Sequence, residues 1–174
     1  MGKSEEARSH VDTSIDLEPD SSFNEWVTMT ASIETGDYPV GMRALSNPQL
    51  RMPEQTRTAL LSGFQAIASG DAGAKARAVK ILLELPDGQK SDVVARILAL
   101  PGAPNEALEL CVRGIGSSYR WSSVLWYPRM RGALSEPDFP SVAQRLGLFD
   151  YWRTTHIKPD VCATKNPPPF CRTI

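Results

Sequence analysis

The sequence has no apolar run near the roughly 18 residues that a transmembrane helix needs. Its start, MGKSEEARSHVDTSIDLEPDSS, holds no apolar stretch of the kind a secretory signal carries. An excess of either charge is also lacking: 19 Lys and Arg face 20 Asp and Glu, for a formal net charge of −1. The whole-protein field therefore favours neither nucleic acid nor an anionic membrane. Histidine is scarce (His10 and His156), and the cysteines are Cys111, Cys162 and Cys171. A low, odd cysteine count fits a reducing cytosol better than a disulfide scaffold, so a cytoplasmic location is expected. Enzyme signatures are missing too, with no G-x-S-x-G elbow, no H-E-x-x-H and no C-x-x-C. No catalytic residue, metal or cofactor is expected.

What is present is helical periodicity. Over residues 53–69, Leu60, Leu61, Phe64, Ile67 and Ala68 share one face at spacings of three and four. Pro53 suits the first helical turn, where no amide bond is lost. Gly70 can end that helix and Asp71 can cap the next. The next helix runs to about Leu85, with Ala78, Ile81, Leu82 and Leu85 inward, and Pro86-Asp87-Gly88 breaks it. Ser91 can cap a third, carrying Val94, Ile97 and Leu98, which Pro101 and Gly102 stop. Pro104 and Asn105 open a fourth, with Ala107, Leu108, Cys111, Val112 and Ile115. No alternating strand of useful length is visible. Short loops make such helices antiparallel neighbours, and each needs a partner to cover its apolar face.

The turns repeat. Thr35-Gly36-Asp37 recurs 34 residues later as Ser69-Gly70-Asp71, and Gly102 follows after a further 32. This spacing resembles the tetratricopeptide repeat, a pair of antiparallel helices. In that register the family's small residue of the first helix falls on Gly63 and Ala95, and its closing proline on Pro53 and near Pro86. Its second-helix alanine falls on Gly41 and Ala107. Lys75 and Met29 depart from the pattern, so the repeats are degenerate. The same periodicity also fits a helical bundle without repeats.

Beyond residue 118 the character changes. Eight of the thirteen Phe, Trp and Tyr lie between Tyr119 and Trp152. Rings bury much area each, which predicts a compact cap built on Trp121, Trp126, Phe139, Tyr151 and Trp152. Asp138 can cap a short helix with Phe139, Val142, Ala143 and Leu146 inward, closed by Gly147. The run from Leu125-Trp126-Tyr127-Pro128 through Gly147-Leu148-Phe149-Asp150-Tyr151-Trp152 to Pro159-Asp160-Val161-Cys162 resembles the ending of the tetratricopeptide halves of large proteobacterial regulatory proteins. Nothing in the chain matches the DNA-binding or signalling domain that accompanies such halves.

The domain reading is therefore a flexible polar tail over 1–22, degenerate helical repeats over 23–118, a cap over 119–162 and a proline-rich tail over 163–174. The all-α fold expected is a short stack of helix pairs with an aromatic-rich cap. Stacked pairs make a concave face, and Arg57, Gln65 and Arg96 on the first helices are the expected partner-binding residues. The function expected is recognition of a peptide or protein partner, without catalysis. A sensory or dimerisation domain acting on an effector is the alternative, and an unrecognised helical enzyme is the second.

Other features read as structural. Gly114-Ile115-Gly116-Ser117-Ser118 lacks the lysine of a phosphate loop and follows a helix. Arg113, Arg120, Arg129 and Arg131 lie in a stretch without acidic residues; they resemble an anion patch, but snorkelling over the cap is the simpler account. His156, Cys162 and Cys171 fall one ligand short of a closed zinc site. Cys162 and Cys171 can instead pair under oxidising conditions, with Pro167-Pro168-Pro169 stiffening the loop between them.

Overall fold

The computed structural model describes residues 4–18, 21–115 and 123–174, and among these no strand occurs. The helices are α1 (Ser4–Leu17), α2 (Ser22–Thr35), α3 (Tyr38–Ser46), α4 (Glu54–Ser69), α5 (Ala72–Leu83), α6 (Asp92–Ala99), α7 (Pro104–Ile115), α8 (Phe139–Arg145) and α9 (Leu148–Thr155). Short 3-10 turns sit at Asp87–Gln89, Pro128–Arg131, Ala133–Ser135, Asp160–Ala163 and Pro169–Arg172.

Turn chemistry sets the boundaries. Gly36 (φ 80°) and Gly70 (φ 71°) close α2 and α4 in the left-handed region that favours glycine. The Asp71 side chain then accepts the Ala74 N–H at 2.6 Å and caps α5. Asp37, at the matching turn, caps nothing with its side chain and instead pairs with Arg8 of α1 at 2.8 Å. Ser91 and Asp138 precede their helices as expected, also without a side-chain cap bond.

Consecutive helices pack as adjacent pairs: α2 with α3, α4 with α5, and α6 with α7. Met29, Ile33, Leu45, Leu60, Phe64, Leu82, Ile97, Leu98 and Leu108 are buried between them. Each contributes about 1.5–3 kcal/mol of apolar burial. Two glycines permit the closest approaches. A Cβ on Gly63 would lie 2.5 Å from Ile97 Cγ2, and one on Gly41 would lie 2.2 Å from Ser32 Oγ and 2.8 Å from the Phe64 ring.

Several expectations change. Residues 1–22 carry α1 where a tail was expected. Val11 and Ile15 of α1 face a cleft shared with Ala31 and Val40, and Ser14 Oγ donates to Asn24 Oδ1 at 2.8 Å. The buried Asn24 amide donates in turn to the Glu18 carbonyl. Residues 163–174 are not a free tail either: Phe170 is 2% exposed and Cys171 is buried. Ile81, expected inward, is 40% exposed, because α5 turns Ala78 and Leu82 to the core instead. Finally, α2 packs directly on α6. The first helix of the first pair thus meets the first helix of the third, where an open concave face was expected.

Candidate functional site

The expected binding trio does not assemble. Arg57 folds back along its own chain: its guanidinium donates to the carbonyls of Leu45 and of Leu50 (2.6 Å), with a longer contact to Asn47 (3.3 Å). It satisfies carbonyls left open where α3 ends. Arg96 is 4% exposed, inside the α2–α6 contact. Gln65 alone of the three is exposed.

Arg96 is the centre of a buried ionic cluster. It reaches Glu34 of α2 at 3.4 Å and Asp92 at 3.6 Å, and its guanidinium carbon lies 4.7 Å from the Tyr127 ring centre. Arg129 donates to the carbonyls of Ile33 (2.9 Å) and Glu34 (3.2 Å) at the end of α2. That position favours a cation, because helix carbonyls there are unpaired. Burial pushes the Glu34 carboxyl above its ordinary range, opposed by the charges of Arg96 and Arg129. Glu34 Oε2 and Arg96 Nε are buried without a hydrogen-bond partner among the described residues. Such an arrangement ties α2, α6 and the cap together.

The cap is built from rings. Phe139 lies 4.7 Å from Phe170, Trp152 stacks on Phe170 at 5.5 Å, and Trp126 meets Phe139 and Trp152 edge-on at 6.4 and 6.1 Å. Trp126, Phe139 and Trp152 thus occupy the expected cap. Tyr151 does not; it is 53% exposed, because α9 turns Phe149 and Trp152 inward. Trp121, Tyr119 and Arg120 lie outside the described residues, as do Gly116, Ser117 and Ser118. The remaining arginines do not form a patch. Arg129 holds α2, Arg131 borders a cavity of about 200 Å³ with Trp126 and Asp160, and Arg113 faces a different groove.

Cys162 and Cys171 are joined in a disulfide, and no group of three metal-ligating side chains occurs among the described residues. Cys111 is buried, and burial pushes its thiol up to about 12. At neutral pH it stays a thiol, which is a weak nucleophile.

A groove of about 540 Å³ between α7 and α8 presents side chains to solvent. Leu108, Val112 and Val142 form its apolar floor. Asn105, Leu108, Glu109, Val112 and Arg113 repeat at spacings of three and four, so they form one stripe on α7. Glu109, Arg113, Asp138 and Arg145 ring the floor, all exposed. None of the four has an ion-pair partner among the described residues. Elsewhere Arg8, Arg57, Arg77 and Arg96 are paired, while exposed Arg43, Arg51 and Arg172 are likewise without an ion pair among the described residues. Sequence reasoning named Leu108, Val112 and Val142 only as core; the α7 stripe was visible, but not the element facing it.

No family model matches the chain, and neither a curated protein nor a solved structure matches it.

Proposed function

We propose that the chain is a protein-interaction domain that holds a polypeptide segment in the α7/α8 groove and carries out no bond chemistry. The observation behind this reading is the apolar floor of Leu108, Val112 and Val142 beneath four exposed charges of both signs without ion-pair partners. Such a groove suits an amphipathic segment, with apolar side chains on the floor and both signs of charge along its edges. Fixed rim charges add more to selectivity and association rate than to affinity.

The finer fold, a short tetratricopeptide-like stack, draws support from the 34-residue spacing of Gly36 and Gly70 and the close approach of α4 to α6 at Gly63. The direct α2–α6 contact occupies part of the face expected to be open, and under this proposal the α7/α8 groove is the partner surface instead. Among the described residues no helix is long and apolar enough to cross a membrane. The expectation of a cytoplasmic location rested on a low, odd cysteine count, and the Cys162–Cys171 bridge weakens that support.

Immobilised full chain should capture a polypeptide from lysate of the source cells. The Arg113→Glu/Arg145→Glu variant should lose at least tenfold of it, while Lys80→Glu on α5 captures as much as the wild type. Equal capture by the groove variant would remove the groove from the function. Self-association is the second reading, favoured by exposed Tyr151 and Ile157 (59% exposed) at the end of α9. Light scattering separates the two: a dimer that dissociates on Tyr151→Ser supports it, and a monomer rules it out.

A further inference from the structure

The C-terminal segment is short, rich in proline and weakly bonded, yet it fills the centre of the cap. Residues 165–174 contain three consecutive prolines, which donate no backbone hydrogen bond. The bonds that shape the segment are local, from the Cys171 N–H to the Pro168 carbonyl and from the Thr173 N–H to the Phe170 carbonyl. Outward, among the described residues, Lys158 Nζ donates to the Cys171 carbonyl at 3.3 Å. The segment is seated by the Phe170 ring, packed on Phe139 and Trp152, by the covalent bond from Cys171 to Cys162, and by smaller apolar contacts of buried Pro168 and of Ile174.

We propose that the Cys162–Cys171 bridge is a redox-operated latch, which keeps Phe170 in the aromatic cluster when oxidised and frees residues 165–174 when reduced. The two cysteines differ in exposure, since Cys171 is buried and Cys162 is only partly so. A dithiol reductant supplies the chemistry. Its thiolate attacks Cys162 Sγ and forms a mixed disulfide; the Cys171 sulfur leaves as thiolate and takes up a proton. The reductant's second thiol then displaces Cys162, so the reductant is oxidised to its own disulfide and both cysteines end as thiols. Loss of Phe170 uncovers Phe139 and Trp152, which are otherwise buried. Phe139 opens α8, and Val142 on the same helix floors the groove. Release therefore loosens one groove wall, although the latch itself stands whether or not that groove binds anything.

Hydrogen exchange by mass spectrometry on the full chain tests the latch without a partner. Reduction with dithiothreitol should raise exchange at least tenfold in residues 139–155 and 160–174 and leave α4 and α5 unchanged. The Cys162→Ser/Cys171→Ser variant should match the reduced wild type and ignore dithiothreitol. Oxidised Phe170→Ala should show the raised exchange in residues 139–155 with the bridge intact. Unchanged exchange in the cap on reduction would overturn the latch. So would an equal rise in α4 and α5, since the bridge would then be a staple for the whole fold. Three free thiols in denatured protein purified in air, in place of the single Cys111 thiol, would overturn it as well.

Discussion

Residues 22–115 and residues 124–174 are both helical, but they are held by different means. The first region has helices of up to 16 residues with aliphatic faces, closed by Gly36 and Gly70, and with neighbouring side chains pressed onto the backbone at Gly41 and Gly63. The second has α8 of 7 residues, α9 of 8 and several 3-10 turns. Helices that short do not stand alone in water. They hold their place through a continuous set of rings, Trp126, Phe139, Phe149, Trp152 and Phe170, and through one disulfide. One region is organised along the chain and the other around a centre. The two are joined by Arg129 on the end of α2 and by Tyr127 over Arg96.

The largest test of that contrast is a pair of truncations. Phe64→Ala and Phe139→Ala each remove a fully buried ring, worth about 3–5 kcal/mol. Phe64→Ala should lower the stability of the whole chain in denaturant unfolding. Phe139→Ala should act on the cap first, raising exchange in α8 and α9 well before α4 and α5. Identical exchange patterns for the two variants would dissolve the distinction.

The joint between the regions comes next. Arg96→Leu leaves Glu34 buried without its closest cation, and should cost about 3 kcal/mol. Glu34→Leu/Arg96→Leu should recover much of that loss, since only Asp92, which is part-exposed, is then left without its cation. A double variant as unstable as the single would show that Arg96 acts through Tyr127 or Asp92 instead. The same pair predicts a pH dependence. Burial raises the folded-state pKa of Glu34 above its ordinary 4.5. The folded state then holds the proton more tightly than the unfolded chain does. The contribution of Glu34 is complete below the unfolded pKa and declines as pH rises through the folded one. The melting temperature of Glu34→Gln, relative to wild type, should therefore climb as pH rises from 4.5. A flat difference would contradict the burial argument.

A smaller effect sharpens the first region. Glycine to alanine inside a helix ordinarily gains about 1 kcal/mol. At Gly41 the added methyl meets Ser32 and Phe64, so Gly41→Ala should lose about 1–3 kcal/mol in thermal unfolding. A gain would mean that α3 has room to shift.

The same contrast explains what could be read from the chain. The helices from residue 54 to residue 115 were legible, because Gly70, Asp71, Pro86 and Pro101 punctuate a pattern of regular apolar spacing. Legible too were the aromatic cap and the places of Trp126, Phe139 and Trp152. Helix α1 was not, since Val11 and Ile15 are a thin apolar signal and Asn24 supplies its buried partner from α2. Nor was Phe170, whose burial depends on ring contacts and a covalent link rather than on a period. Tyr151 and Trp152 are adjacent and equally aromatic; only the rotation of α9 separates exposed from buried. Arg57 and Arg96 were expected to line a partner surface, but long side chains reach inward to carbonyls and carboxylates, and position alone does not give that direction.

The measurement that bears most directly on the proposed function is site-specific photo-cross-linking. A photoreactive side chain at Ser141, on the α8 wall of the groove, should trap a polypeptide from lysate, and the same probe at Gln65 on α4 should trap none. Trapping at Gln65 with none at Ser141 would return the binding surface to the inner helices and contradict the assignment of the α7/α8 groove.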